Sequence, residues 1–273
     1  MISLQSKRFL TLVNKTITFL ILLGAAAVFL LPLFWMLSTS LKPKDQIFVY
    51  PLVWLPHPPQ WDNYGEALNN PSFKYLLFLK NSLIYAVMST IGTVISCAFV
   101  AYAFARLRWW GRDFWFVLTL STMMIPYPVT LIPLFLIFRD LGWIGTFKPL
   151  IVPSFLGTPF FIFLLRQFFL TIPMDLSDAA RIDGAREIGI FWHIILPLTR
   201  PALITVALFT FLGSWNDFLG PLIYLNDGSK YTLAVGLAAF RGQYRTQWDL
   251  MMAASTVVTV PIVVLFFFAQ KRF

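Results

Sequence analysis

Between Ile172 and Pro201 the chain reads IPMDLSDAARIDGAREIGIFWHIILPLTRP, and its charged residues Asp178, Arg181, Asp183 and Glu187 offer partners for ion pairing. Ala179 and Ala180 beside them are small enough for another backbone to come close. The pattern is that of a docking element and not of a catalytic site. Two short helices are predicted here. The first starts near Asp175 or Ser177, both good caps, and runs through the alanine pair. Gly184 breaks it at little steric cost. A second, more apolar helix runs from Glu187 to Leu196 and carries Ile194, after which Pro197 and Pro201 mark the return to an apolar run.

Other chemistry is thinly supplied. No glycine is followed by lysine, so a phosphate-binding G-x-x-x-x-G-K-[ST] loop is excluded. Neither His57 nor His193 belongs to a metal-ligand cluster, and H-E-x-x-H is absent. Within the apolar runs Asp217 is the lone carboxylate and there is no histidine, which argues against intramembrane aspartyl or serine proteolysis. An enzyme is not the expectation, and no cofactor or metal is expected on this chain. Asp217, in Trp215-Asn216-Asp217, carries two readings. A mid-membrane carboxylate costs several kcal/mol unless paired or hydrated. It could line a solute path, with Asn216 bonding hydroxyls and Trp215 stacking, or it could fix its helix through an interhelix or intersubunit hydrogen bond.

The elements that must position these groups are membrane spans. The sequence is 58% hydrophobic and 12% charged over 273 residues, against roughly 25% charged in soluble domains. The expectation is an all-α integral membrane protein, residues 1–273 forming one transmembrane domain of six helices. The spans are placed at about 16–37, 81–105, 114–138, 148–165, 202–225 and 250–269, with the loop 172–201 between the fourth and fifth. The first apolar run lacks a small-residue cleavage site and is expected to stay as a helix. Segment 38–80, with Pro51, Pro56, Pro58 and Pro59, reads as extended and irregular. Ser89, Gly92, Ser96 and Ala101 allow close packing of span two. Pro126, Pro128 and Pro133 in span three free carbonyls that must be satisfied inside the protein or by cavity water. Cys97 is the only cysteine, so an intrachain disulfide is excluded.

The net charge of +9 is read as basic residues meeting anionic lipid, not nucleic acid. With both termini in the cytoplasm, twelve of the 21 lysines and arginines lie inside. They are Lys7, Arg8 and Lys15, then Arg106, Arg108 and Arg112, then Arg166, Arg181, Arg186 and Arg200, and finally Lys271 and Arg272. That bias follows the positive-inside rule and puts the 172–201 loop inside as well.

The loop resembles the EAA loop, E-A-A-x3-G-x9-I-x-L-P, of the membrane subunits of ATP-binding-cassette importers. Asp178-Ala179-Ala180, Gly184, Ile194, Leu196 and Pro197 match its spacing, with Asp178 one methylene shorter than the family's Glu. The bland alternative is an amphipathic interfacial helix. Resemblance to maltose-type carbohydrate permeases extends over most of the chain. It includes Ser40-Leu41-Lys42-Pro43, Asn81-Ser82-Leu83, the run Ala101 to Arg106, Ile125-Pro126, Ile182-Asp183-Gly184-Ala185 and Trp215-Asn216-Asp217-Phe218. The family pattern goes on past Gln270-Lys271-Arg272 with a glycine-rich tail, and tail-dependent contacts are not expected of this sequence.

The resemblance implies a type I importer permease fold in a bacterial or archaeal plasma membrane. It implies a homologous second permease, two ATPase subunits that hold the ATP and magnesium, and an external solute-binding protein. Asp178 to Glu187 and Ile194 to Pro197 would couple ATPase closure to alternating access, and the solute would be a carbohydrate or related polyol. A permease for a non-sugar solute fits the loop equally. An ATP-independent secondary transporter would call for ion-coupling acids or an inverted repeat, and the sequence shows one acid in the spans and no repeat.

Overall fold

The computed structural model describes residues 4–242 and 246–270, with side chains from residue 11 onward except at 269. The basic pair Lys271-Arg272 lies outside the described residues, as does the middle of the 226–249 loop. Among the described residues four helices are long and apolar enough to cross a membrane, and the count rises to six when the bent pairs Arg112–Met124 with Tyr127–Asp140 and Glu187–Leu198 with Arg200–Asn216 are each taken as one span.

The first helix, α1, is Leu4–Ser40, longer at both ends than the expected 16–37. A short helix α2, Asp62–Leu68, follows within the proline-rich segment, which is therefore more ordered than its composition suggested. Helix α3 is Tyr75–Arg106 and begins six residues before the expected Asn81. Span three is a bent pair: α4 is Arg112–Ser121, α5 is Tyr127–Asp140, and the halves meet at 99°. Of its three prolines only Pro126 makes the break. It forces Ile125 into extended backbone (φ −82°, ψ 115°), while Pro128 sits harmlessly in the first turn of α5.

Span four contains α6, Lys148–Ile151, a tight turn over Val152–Leu156, and α7, Pro159–Thr171, which passes the expected end at Leu165. The loop holds α8 (Asp175–Ile182), α9 (Glu187–Ile190) and α10 (Leu196–Leu198). Span five is α11, Arg200–Asn216, then α12, Leu219–Tyr224; the short α13, Leu233–Gly236, precedes α14, Trp248–Ala269.

The chain forms two compact units, Met1–Asn70 with Phe240–Thr259, and Pro71–Ala239 with Val260–Phe273. In the first, the turn after α1 is tied down by side chains. Asn63 Nδ2 donates to the Ser40 and Lys42 carbonyls at 3.0 and 3.1 Å, and the Ser40 and Tyr64 hydroxyls lie 2.7 Å apart. Lys42 is fully buried with its ammonium 3.9 Å from the Trp35 ring centre, and burial pushes its pKa down.

In the second unit α3 is the central post, packed against α7 and α11. Its small residues allow this: a Cβ on Gly92 would come within 2.6 Å of the Phe155 ring. Asn81 Nδ2 donates to the Ser229 and Tyr231 carbonyls, and Ser82 Oγ accepts from the Leu233 amide at 2.8 Å, so the opening of α3 holds the start of the 226–239 segment. Cys97, Ala101, Tyr102, Phe169, Ile190 and Ile195 share one core, which joins the loop to two spans.

Candidate functional site

The candidate docking loop, residues 172–201, is built from a well-terminated helix and a bent one. Neither Asp175 nor Ser177 caps α8. The cap position is Met174, whose side chain makes no capping bond, and Ser177 is instead turned inward and fully buried. The other end is specified by Gly184. Its φ of +82° closes a paired-bond terminus in which the Gly184 amide donates to Arg181 O at 3.0 Å and the Ala185 amide to Ala180 O at 2.8 Å. Left-handed backbone of this kind is inexpensive for glycine and disfavoured for residues with a Cβ.

The second helix runs on from Glu187 through a wide π-type turn, Phe191–Ile195, to Leu198, two residues beyond its expected end. Pro197 lies inside it. The chain then bends by 79° into α11, with Pro201 in the first turn.

One side of this loop is bolted to the spans. Ala180, Ile190, Phe191 and Ile195 are buried, Phe191 stacks on Phe99 at 4.8 Å, and its ring meets Tyr102 edge-on at 5.0 Å. The alanine pair is thereby split: Ala180 packs inward and only Ala179 faces out. The other side is open and unusually apolar for a polar segment. Ile182 and Ile188 are 87% and 70% exposed, next to the exposed Asp178, Asp183 and Gly184 and near the exposed Pro197. Ile194 and Leu196 are half-buried.

A polar chain runs through the loop to α3. Arg181 donates to Asp178 Oδ1 at 2.6 Å and to Glu187 Oε1 at 2.8 Å, and the Tyr102 hydroxyl donates to Glu187 Oε2 at 2.7 Å. Its bond to Glu187, foremost, holds the Arg181 guanidinium proton more tightly than usual. Asp178, one of the charges that the sequence offers for ion pairing, thus already has an internal partner. Tyr102 is the residue that loop-based reasoning missed; its signal was the Ala101-to-Arg106 motif, to which no role had been given.

Trp215, Asn216 and Asp217 are brought together in sequence but not in environment. Trp215 is buried, 2% exposed, and stacks on Phe211. Asn216 is exposed and donates to the Leu212 carbonyl at 2.9 Å. Asp217 stands in the break between α11 and α12. Its Oδ2 accepts from the Tyr85 hydroxyl at 2.8 Å and its Oδ1 from the Gly220 amide at 3.1 Å, a structural clasp between spans two and five. A cavity of about 370 Å³ opens there, walled by Asp217, Tyr85, Tyr127, Tyr224, Leu134 and Phe138.

Residues 93–273 match the family described as binding-protein-dependent transport system inner membrane component. The chain is 35% identical to the arabinooligosaccharides transport system permease protein AraQ of Bacillus subtilis, over 90% of this chain and 88% of that one. It is 34% identical to the trehalose/maltose transport system permease protein MalG of Thermococcus litoralis, over 92% of each. Its fold superposes on a chain of a bacterial ABC transporter involved in import of the acidic polysaccharide alginate, with a TM-score of 0.81, 25% identity and 99% of both chains covered. An all-helical fold of six spans and the absence of a phosphate loop agree with these likenesses. The chain belongs to the inner-membrane components of binding-protein-dependent transport systems, and is the permease subunit of an ABC importer whose ATPase is a separate component.

Proposed function

We propose that this permease carries a carbohydrate or related polyol inward, and that residues 172–201 are the seat of the ATPase. The observation that carries the coupling reading is the two-sidedness of the loop. Its inner side shares a core with α3 and α7, while Ile182, Ile188 and Asp178 stand open on the outer side. A partner covering the two isoleucines gains about 1.5–3 kcal/mol for each one fully buried. Force applied there passes through Phe191 and the Tyr102–Glu187 bond into α3. Alternating access needs such a rigid element with different contacts in its two states.

The sugar reading is supported by the substrates named for AraQ, MalG and the alginate transporter. It extends to the partners: a homologous second permease, two ATPases bearing ATP and magnesium, and an external solute-binding protein. Both termini are placed in the cytoplasm. The Asp217 cavity is the candidate for solute contact within this chain.

The experiment combines co-purification of the ATPase with binding-protein-stimulated ATP hydrolysis in proteoliposomes. Asp178→Lys with Gly184→Asp sets a cation against Arg181 and a charged side chain on left-handed backbone. The double variant is expected to insert and pair with its membrane partner, yet to lose transport and ATPase docking or coupling. Wild-type docking, hydrolysis and uptake would show that the loop is not the coupling element.

A further inference from the structure

Arg106, the last residue of α3, is 4% exposed but lacks a counter-ion. Its Nη1 points at Met174 Sδ at 3.0 Å, its Nη2 reaches the Pro173 carbonyl at 3.5 Å, and its Nε has no hydrogen-bond partner. Among the described residues no carboxylate forms an ion pair with it. A buried guanidinium served only by a thioether and one long carbonyl contact is under-satisfied, because a buried charge ordinarily has an anionic partner.

The residue lines a cavity of about 810 Å³ with Arg108, Trp109, Asp178, Arg181 and Glu187. The two carboxylates are both engaged by Arg181. Three arginines against two acids leave one positive charge, which suits a monoanion. A second cavity of about 380 Å³ shares Arg108 and Trp109 and continues along the α3–α4 turn to Arg112, which Asp113 already holds at 2.9 Å. Trp109 and Trp110 are 41% and 94% exposed, in the position of interfacial tryptophans that mark the head-group layer.

We propose that this cavity binds the phosphodiester head group of an anionic phospholipid, with Arg106 and Arg108 as its recognising residues. The size is that of a ligand pocket and exceeds what one carboxylate side chain fills. Its extension follows the end of a span and the turn after it, while its other wall is formed by Asp178, Arg181 and Glu187 of the 172–201 loop. Basic pockets between helices on the cytoplasmic side bind such head groups. The site adjoins Asp178, Arg181 and Glu187, so an occupied pocket supports the docking loop from behind. The pocket shares Asp178, Arg181 and Glu187 with the proposed ATPase seat, and lipid retention is read separately from ATPase co-purification.

The test is native mass spectrometry of the detergent-purified transporter complex, titrated with phosphatidylglycerol or phosphatidylcholine. The wild type is expected to retain phosphatidylglycerol in preference to phosphatidylcholine. Arg106→Gln and Arg108→Gln are each expected to lower that retention about five-fold, the worth of one basic residue at an anionic surface. Arg139→Gln removes the same charge from the Asp140 pair elsewhere and is expected to have no effect. If Arg106→Gln fails to assemble, Arg106→Lys and Arg108→Gln carry the test, the lysine variant retaining lipid and the glutamine variant losing it. Equal retention of both lipids, or loss equal in Arg139→Gln, overturns the proposal. So does displacement of the lipid by inorganic phosphate alone, which marks a free-phosphate site. Loss of ATPase co-purification in Arg106→Gln with lipid retention unchanged assigns the pocket to an acidic protein side chain instead.

Discussion

The Tyr102 hydroxyl lies 2.7 Å from Glu187 Oε2 and joins the end of α3 to the second docking helix across 85 residues of sequence. With Arg181 on the other oxygen, Glu187 is held from both sides. Hydrogen bonds to charged groups contribute about 1.5–3 kcal/mol, and the low end applies to a carboxylate 41% exposed. Tyr102→Phe is therefore expected to assemble normally and to import fewer solute molecules per ATP hydrolysed. An unchanged ratio in proteoliposomes would remove the bracing role.

Gly184 separates conformation from space. A Cβ built there meets nothing within 4 Å, so any cost of substitution arises from its φ of +82°. Gly184→Ala is expected to lower stability by about 1–2 kcal/mol, and Gly184→Asn by less, because asparagine tolerates left-handed backbone better. Thermal unfolding of the purified complex checks the order. Alanine and asparagine variants equal to wild type would mean that the helix terminus re-forms differently.

Asp217 divides on geometry that a substitution can read. If it serves mainly as the clasp for Tyr85 and the Gly220 amide, Asp217→Leu is expected to cut the yield of assembled complex severely, and Asp217→Asn largely to restore it. If it also contacts solute in the cavity it walls, the asparagine variant assembles yet transports with a raised KM. Normal uptake by the leucine variant would dispose of both roles.

Orientation can be read with an impermeant thiol reagent on whole cells. Cys97 is fully buried, so background labelling should be low. Cysteines at Arg108 and Arg181 are expected to be protected and one at Gln60 labelled. Labelling of position 181 from outside would reverse the topology and move the docking loop to the wrong face.

Much of this architecture is written locally. Six apolar runs announce spans because a bilayer accepts little else, and Gly184 announces its terminus because few other residues adopt that backbone. What escaped was set by contacts distant in sequence. Ser177 reads as a cap but is drawn into the interior, and Trp215, for which sugar stacking is one of two open readings, is buried against Phe211. Three prolines foretold a bend in span three without saying which one makes it. That depended on Pro126 preceding the first turn of α5, where its effect falls on Ile125. Glu187 is legible as a charge, yet its brace, Tyr102, lies on another span.

The 99° elbow in the third span bears on how the chain is made. Its arms, Arg112–Met124 and Tyr127–Asp140, are about 20 Å each at 1.5 Å per residue, short of a hydrocarbon core about 30 Å thick. Neither arm is long enough to partition into lipid as a self-sufficient helix, and the helical ladder broken at Pro126, which has no N–H to donate, needs protein or water around it. A segment of this kind is expected to enter lipid stably only once neighbouring spans shelter it. An orphaned permease, made without its partner, would thus leave the elbow open to membrane proteases, and the same bend would report unfinished assembly.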